Sequence, residues 1–352
     1  LINVGAVIAS LIMPLFSDHY LRSLLQRHLV RVGTGPDIAQ KVADNLVEAS
    51  LKGHDSHGVT LLPRYIRAIL AGDLNPGATL TMLSDAGPIV SFDGGHGFGQ
   101  ALGEQAMAVG IERAREFGVA IIGLSNTHHL GRIGAWAEQA ADAGLVSLHF
   151  ANVAAPSVVL PFDGLGARLG TNPFCVGVPL ANRHPVILDF ATSAIAGNKA
   201  RIAWNEGRAI PEGCAVDANG QPTTDPAVLM TEPFGALLPF GGHKGAGLSL
   251  ICSLLGAALT GGETESQQIP PRAGIINNML SILFDPARLG AQESYQQALL
   301  AQVDWVRSGQ EGRNVQIPGE PELRAYTRRR QEGIWIDEVS WQAFVALEAL
   351  NT

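Results

Sequence analysis

Two short stretches of this 352-residue chain concentrate the groups that move protons: Gly53-His54-Asp55-Ser56-His57-Gly58-Val59 and Ser125-Asn126-Thr127-His128-His129-Leu130-Gly131-Arg132. Histidine is the side chain whose ordinary pKa lies nearest neutrality. A hydroxyl beside it can orient the ring, and glycine allows a tight turn and close approach by a ligand. Neither stretch reads as the interior of a helix or strand, so both are expected at loop edges, where binding and catalysis concentrate. In the first, His57 has the setting of a proton donor, with Ser56 orienting the ring and Gly58 admitting substrate. An ordinary loop histidine is the competing reading, and spacing alone does not separate the two. His54, His57, His128 and His129 could also serve a metal, which would make the chain a metal-dependent hydrolase. Adjacent histidines usually point apart, however, and neither an HExxH pattern nor a cysteine-rich partner accompanies them.

Other stretches hint at anion binding. Asp93-Gly94-Gly95-His96-Gly97-Phe98-Gly99 lies between an expected strand and an expected helix, the place of a dinucleotide-binding loop. After Gly95 and Gly97 the fingerprint needs glycine at position 100, which is Gln100. A plain strand-to-helix turn is therefore expected, not a Rossmann loop. Lys199 lies ten residues beyond Asp189. Phe240-Gly241-Gly242-His243-Lys244-Gly245 puts backbone amides and a cation at a helix start, which suits an anion. For each lysine, solvated surface charge is the ordinary alternative.

The elements that must position these groups follow from caps and periodicity. Ser17 or Asp18 caps a helix over His19–Arg31, which Gly33, Gly35 and Pro36 end. Asp37 opens a second helix to Lys52, with Ile38, Val42, Leu46 and Val47 at helical spacing. Pro63–Ala71 is a third, stopped by Gly72 and Asn75-Pro76. Strands are expected at Pro88–Phe92, Val119–Leu124, Val146–Ala151 and Val186–Phe190, and helices at Gly99–Phe117 and Ile133–Ala143. This alternation predicts an α/β domain. Asp217-Ala218-Asn219-Gly220 marks a turn or hairpin. Gly245–Leu259 predicts a long, buried apolar helix. Gln292–Trp305 and Ser340–Leu350 are also helical in pattern.

Composition sets the limits. Length suggests two domains, or one large domain with a smaller one attached. Hydrophobic residues make up 46% of the chain, ample for a large core, whereas charged residues make up 16%, which leaves surface for a partner subunit to cover. A net charge of −8 argues against a nucleic-acid binder. No charge-free stretch of about 18 apolar residues reads as a membrane span. Leu1–Phe16 lacks the basic start and cleavage pattern of a signal peptide and reads as an extension. Cys175, Cys214 and Cys252 lie far apart, with neither metal-ligand nor disulfide spacing, which points to a reducing cytoplasm.

Taken together, these segments closely resemble the type-2 malate/L-lactate dehydrogenase family, and within it the hydroxycarboxylate dehydrogenase branch. The resemblance runs from about Asp18 to Ala346. It rests on Gly53–Val59, Asn126–Trp136 (NTHHLGRIGAW), Leu169–Cys175 (LGTNPFC), Leu188–Lys199 (LDFATSAIAGNK), Asp217–Pro226 (DANGQPTTDP) and His243-Lys244-Gly245. It implies a family-specific, non-Rossmann NAD(P)-binding α/β fold with a helical N-terminal region. Residues 17–80 would form that region, packing with 305–352, and 81–304 the cofactor- and substrate-binding domain. It implies an NAD- or NADP-dependent homodimer that interconverts 2-oxo and 2-hydroxy acids. His57 then matches the proton donor, Ser56 its hydrogen-bonding neighbour, and Lys199 joins them as a catalytic group. Gly131, Arg132 and Ile133 match a nucleotide-contacting loop, and Ile187, Leu188, Asp189, Phe190 and Ala191 a strand end against the cofactor. His243, Asn277 and Gly319, Glu320, Pro321 and Glu322 complete the cofactor pocket, and Thr171 matches a substrate contact. Many members carry arginine four residues after the histidine of the Ser-His-Gly motif, where it can hold the substrate carboxylate in a two-pronged grip. Here that position is Leu61. The expectation is that Arg132 substitutes and that Leu61 favours a bulky apolar substrate tail. Members that reduce cyclic imines have His-Gly-Asp where this chain has Gly197-Asn198-Lys199, which favours a hydroxy acid.

Overall fold

A computed structural model describes residues 15–267, 270–290, 292–309 and 312–348, so most of the expected N-terminal extension and the last residues of the expected C-terminal helix lie outside the described residues. The N-terminal region holds α1 (Asp18–Arg31), α2 (Pro36–Leu51) and α3 (Leu62–Ala71). Ser17 caps α1, its hydroxyl accepting from the Tyr20 amide at 3.2 Å. Leu21, Leu24, Leu25, His28 and Leu29 form one buried stripe at helical spacing. Each fully buried leucine in such a stripe contributes about 1.5–3 kcal/mol. That face packs with α2 and α3 into a core that Ile334, Ile336, Phe344 and Leu347 complete from the far end of the chain. Leu15–Phe16 (β1) also pairs antiparallel with Ile334–Trp335, one of the last strands of the chain.

The second layer is a seven-stranded sheet. Its strands are β2 (Thr81–Ala86), β3 (Ile89–Asp93), β4 (Val119–His128), β5 (Val146–Ala154), β6 (Phe174–Val178), β7 (Val186–Phe190) and, entering late, Ile276–Phe284. The spatial order is β2-β3-β4, then Ile276–Phe284, then β5-β6-β7. Only β3 and β4 run parallel, joined by α4 (Gly99–Phe117); the other neighbours are antiparallel. A doubly wound dinucleotide fold is parallel throughout its binding half, so this is a different α/β architecture. A small sheet joins β8 (Ala215–Val216), β9 (Pro222–Thr223) and β10 (Ala236–Leu237), with the expected turn at Asp217–Gly220 linking its first two strands. The remaining elements are α5 (Gly134–Asp142), α6 (Gly197–Asn205), α7 (His243–Cys252), β11 (Ile276–Phe284), α8 (Gln292–Arg307), α9 (Glu320–Glu332), β12 (Ile334–Trp335) and α10 (Glu338–Glu348).

Three expectations need correction. The second histidine stretch is not all loop: β4 continues through Ser125 to His128. A bulge in the pairing with β11 accommodates this, with Asn126 at a φ of 54°. Bulges bend a strand and re-aim its side chains. The apolar run after Gly245 is neither one α-helix nor buried on all sides: α7 gives way to π-helical turns at Ser253–Ala258, and Leu250, Leu254 and Leu259 are 50%, 47% and 66% exposed. The strand at the centre of the sheet, β11, was not expected at all, nor was α9.

The glycine-rich turn before α4 has a packing role. A Cβ at Gly99 would stand 2.6 Å from the His129 carbonyl oxygen, and one at Gly94 3.1 Å from the Thr127 Cα. Gly97 accepts at its carbonyl from the His128 amide at 2.8 Å. The turn therefore lies flat against the second histidine stretch and holds it in place. Gly99→Ala is expected to cost about 1–3 kcal/mol by overpacking, read as a lower urea midpoint at unchanged slope; an unchanged midpoint would contradict this packing role.

Candidate active site

The two histidine stretches meet. His57 sits at the end of a 3-10 turn, Asp55–His57, that follows α2, and its ring stacks on His129 with centroids 5.5 Å apart. Ser56 Oγ lies 3.0 Å from His57 Nδ1, which leaves Nε2 as the nitrogen able to exchange a proton with a ligand. The turn is fastened from several sides. The Asn198 side chain in α6 donates to the Ser56 carbonyl at 2.8 Å, Arg329 in α9 makes a two-pronged pair with Asp55, and Glu322 lies 3.2 Å from His54 Nε2. Gly58, expected to admit substrate, faces the scaffold instead: a Cβ there would be 3.1 Å from the Ser50 Cβ.

His129 is held by a relay that spacing did not reveal. Gln100 Nε2 donates to the Tyr65 hydroxyl at 2.8 Å, and that hydroxyl lies 2.5 Å from His129 Nδ1. Because Tyr65 accepts from Gln100, its own proton goes to Nδ1, so neutral His129 carries its proton on Nε2. Burial raises the Tyr65 pKa and keeps the phenol a neutral donor. Gln100, noticed only because it spoiled a glycine spacing, is thus a positioning group.

The rings line a cavity of about 430 Å³ whose walls come from both layers. It gathers Ser56, His57, Gly131, Arg132, Ile133, Thr171, Asp189, Phe190, Ala191, Lys199 and Asn277 of the expected site. Ile187, Leu188, His243, Gly319, Glu320, Pro321, Glu322 and Leu61 are not among its lining residues. Gly319 packs on the start of β7, where the Ile187 amide donates to the Pro318 carbonyl, and Glu320 pairs with Arg307. His243 is exposed and meets Phe162 edge-on at 5.7 Å. Leu61 is 0% exposed in the helical core, so it does not face a substrate tail. Asn277 reaches the cavity, but its amide is already engaged: Oδ1 accepts from the Leu130 amide at 2.9 Å and Nδ2 donates to the Asn152 carbonyl at 3.1 Å.

The cations divide into two kinds. Arg132, 3% exposed, is paired with Glu138, which also pairs with Lys52, and it stands beside the Asp189 carboxylate. Burial opposes the Glu138 charge, and Arg132 and Lys52 outweigh it, holding that carboxyl below its ordinary range. Burial raises Asp189, with Arg132 pulling it back. Arg132 therefore has its charge balanced by protein carboxylates, although it too lines the cavity. Arg64 and Lys199 line the same cavity, and neither has an ion-pair partner among the described residues. Arg64 was not singled out by the sequence; its signal was proximity, seven residues beyond His57 on the first turn of α3.

The four histidines do not converge on one point. His128 is fully buried, edge-on to Tyr65, with neither ring nitrogen bonded, and His54 turns to Glu322. No group of three or more metal-binding side chains assembles among the described residues.

Residues 16–345 match the family model described as malate/L-lactate dehydrogenase. Hydroxycarboxylate dehydrogenase B of Escherichia coli strain K12 is 43% identical over 333 residues, covering 93% of this chain and 92% of the relative. L-lactate dehydrogenase of Cupriavidus necator is 47% identical over 255 residues, 71% of this chain and 72% of the relative. A solved structure titled a putative malate/lactate dehydrogenase from E. coli superposes with a TM-score of 0.92 at 41% identity, covering 96% of each chain. The chain belongs to the malate/L-lactate dehydrogenase family.

The buried imidazoles carry a stability signature. Burial pushes His57 down to about 3, with His54, Arg132 and Lys199 adding to it. Burial also takes His128 and His149 to about 3, and His129 well below its usual value. Above about pH 6.5 these groups are neutral in both folded and unfolded chains. Below it only the unfolded chain takes up the protons, so stability is lost as pH falls from 6.5 toward 3. Each fully buried histidine contributes up to about 1.4 kcal/mol per pH unit. Urea unfolding at pH 7.5, 6 and 5 should show this loss, and His149→Gln should flatten it; a flat wild-type profile would contradict neutral burial.

Proposed function

We propose that this family member is a nicotinamide-dependent oxidoreductase that interconverts 2-oxo acids and 2-hydroxy acids, with His57 as proton donor and acceptor. One observation carries the reading: two stacked imidazoles and two cations without an ion-pair partner among the described residues line the same cavity. That is the equipment for a substrate that joins a carbonyl to an anionic group. Family membership supports the same reading.

The residues present fit a nicotinamide dinucleotide, NAD or NADP. Ile133, Pro173, Phe190 and Ile195 give apolar walls for a planar ring. Gly131, at a φ of 73°, lines the cavity and packs its other side on α2, where a Cβ would strike Asn45 Oδ1 at 2.6 Å. The amides of Gly197 and Asn198, in the first turn of α6, have no intrahelical partner and suit an anion. Gly131–Ile133 and Asp189–Ala191 would hold the cofactor. When bound and reduced it supplies the hydride.

The protein's part is orientation and the proton. His57 is neutral when the cavity is empty of anions, because burial and the nearby cations disfavour its charge. An entering carboxylate offsets those cations and raises the affinity of His57 Nε2 for a proton. Nε2 then protonates the carbonyl oxygen during reduction and, in the reverse direction, takes the proton from the hydroxyl. Thr171 lines the substrate end of the cavity, and Ser56 holds the ring through Nδ1. Acid–base help of this kind is typically worth about 10²–10⁴-fold. Substrate binding thus raises the His57 pKa from its low value in the empty cavity.

The reading includes a homodimer in a reducing cytoplasm. The three cysteines are free and buried, and Leu250, Ile251 and Leu254 form an exposed apolar face on α7 and the turns after it. Among the described residues no helix is long and apolar enough to cross a membrane. Contiguous exposed apolar patches commonly mark interfaces. Light scattering is expected to give a dimer for the wild type and a folded monomer for Leu250→Glu/Leu254→Glu; a variant that stays dimeric excludes this face.

Catalysis is tested by following NADH and NADPH oxidation against pyruvate, phenylpyruvate, oxaloacetate, 2-oxoglutarate and one cyclic imine. Turnover with a 2-oxo acid is expected. His57→Ala should bind the cofactor as the wild type does and lose about 10²–10⁴-fold in kcat. Full activity in that variant would remove His57 from its role, and turnover of the imine alone would overturn the substrate class.

A further inference from the structure

The family arginine four residues after the motif histidine is absent, and the position it would occupy, Leu61, is sealed in the helical core. We propose that Arg64, one turn further along, holds the substrate carboxylate in this chain, with Lys199 as a second cation. The inference rests on the dehydrogenase reading and gives the place of the substrate's anionic end.

The geometry of Arg64 carries it. Its Nε donates to the Ala273 carbonyl at 3.0 Å and one Nη2 hydrogen to the Gly274 carbonyl at 3.3 Å. Both bonds use the side edge of the guanidinium. The end edge, one Nη1 hydrogen and the second on Nη2, has no hydrogen-bond or ion-pair partner among the described residues, and the residue lines the cavity. That edge is one of the two that match a carboxylate with parallel hydrogen bonds. The backbone carbonyls fix the plane of the group, so little side-chain freedom is lost on binding. The carbonyls are themselves held: Asp73 accepts from the Ala273 and Gly274 amides at 2.8 and 3.1 Å.

Charge makes the same point. A largely buried cation without a counter-ion is costly, so such groups are normally paired. Arg64 has no carboxylate within ion-pair distance among the described residues, and Arg201 adds repulsion. An anion entering the cavity removes that cost. Arg64 also stands close enough to disfavour charge on both His128 and His129. A carboxylate held there would lie on the side of His129, one of the two stacked rings. Arg132 is less suited, because Glu138 and the neighbouring Asp189 already balance its charge.

The test separates this site from the reaction. Oxamate, a 2-oxo acid mimic that cannot be reduced, is titrated calorimetrically into protein saturated with NADH or NADPH. Wild type should bind it, and Arg64→Ala should bind about 10- to 100-fold more weakly, as loss of a charge-assisted pair requires. Arg64→Lys should recover part of the loss, since it restores charge without the fork. Arg64→Gln replaces the alanine variant if the loop at 273–274 fails to fold, as judged by cofactor binding. In parallel, kcat/KM is compared for a 2-oxo acid and its methyl ester. Arg64→Ala should lower it for the acid and leave the ester within about threefold of wild type. Failure of wild type to bind oxamate, or equal losses for acid and ester, would overturn the proposal. Oxamate binding that depends on Arg64, without turnover of any 2-oxo acid, would uphold the site and reject the dehydrogenase reading.

Discussion

The site hangs from two neighbouring asparagines on the central strand. Asn278 Oδ1 accepts from the Asn126 amide on β4 at 2.8 Å, and its Nδ2 donates to Asn152 Oδ1 on β5 at 2.9 Å. Asn277 ties the Leu130 amide to the Asn152 carbonyl. Buried amides left without partners cost about 1–3 kcal/mol each, so these four groups admit one arrangement of β4 and β5. That arrangement includes the bulge at Asn126, and the bulge sets where His128 and His129 point. Displacing either asparagine would move the proton-handling groups together with the sheet.

From that anchor the loop after β4 runs into a chain of buried charges. Asp189 at the end of β7 accepts from the Gly134 amide at 2.7 Å and stands beside Arg132, which pairs with Glu138, which pairs with Lys52 in α2. Charges taken out of water need close partners, and here each has one. The network joins the sheet layer to the helical layer beneath the cavity. It fastens the glycine-containing loop, whereas Arg64 and Lys199 line the cavity without an ion-pair partner among the described residues. The basic residues near the cavity thus fall into two sets that sequence alone does not distinguish.

Much of the fold was legible because its signals are local. The Ser17 cap, the apolar stripe of α1, helix Gly99–Phe117 and strand Val186–Phe190 depend on neighbours a few residues apart. Strand β11 was hidden because the Asn277-Asn278 pair interrupts its apolar run, and buried asparagines make sense only once their partners on β4 and β5 are known. The run after Gly245 misled because its composition suits a core, whereas its outer face is left uncovered in the single chain. Three residues of the first motif, His54, Ser56 and His57, do line the cavity, but Gly58 was given a ligand's role, whereas it packs against Ser50.

The sequence by itself determined the family, the histidines and serine gathered in two short motifs, and most of the helices, since motif order, caps and periodicity are written in residues close together. Tertiary structure alone decided which of the nearby arginines lines the cavity without a counter-ion among the described residues. Leu61, Arg64 and Arg132 all lie within reach of the motifs. Their fates depend on burial against Ile334 and Phe344, on carbonyls 209 and 210 positions away, and on a pairing with Glu138 inside a closed core. The energy of a charge is set by what surrounds it, and those surroundings come into being only when distant segments pack together.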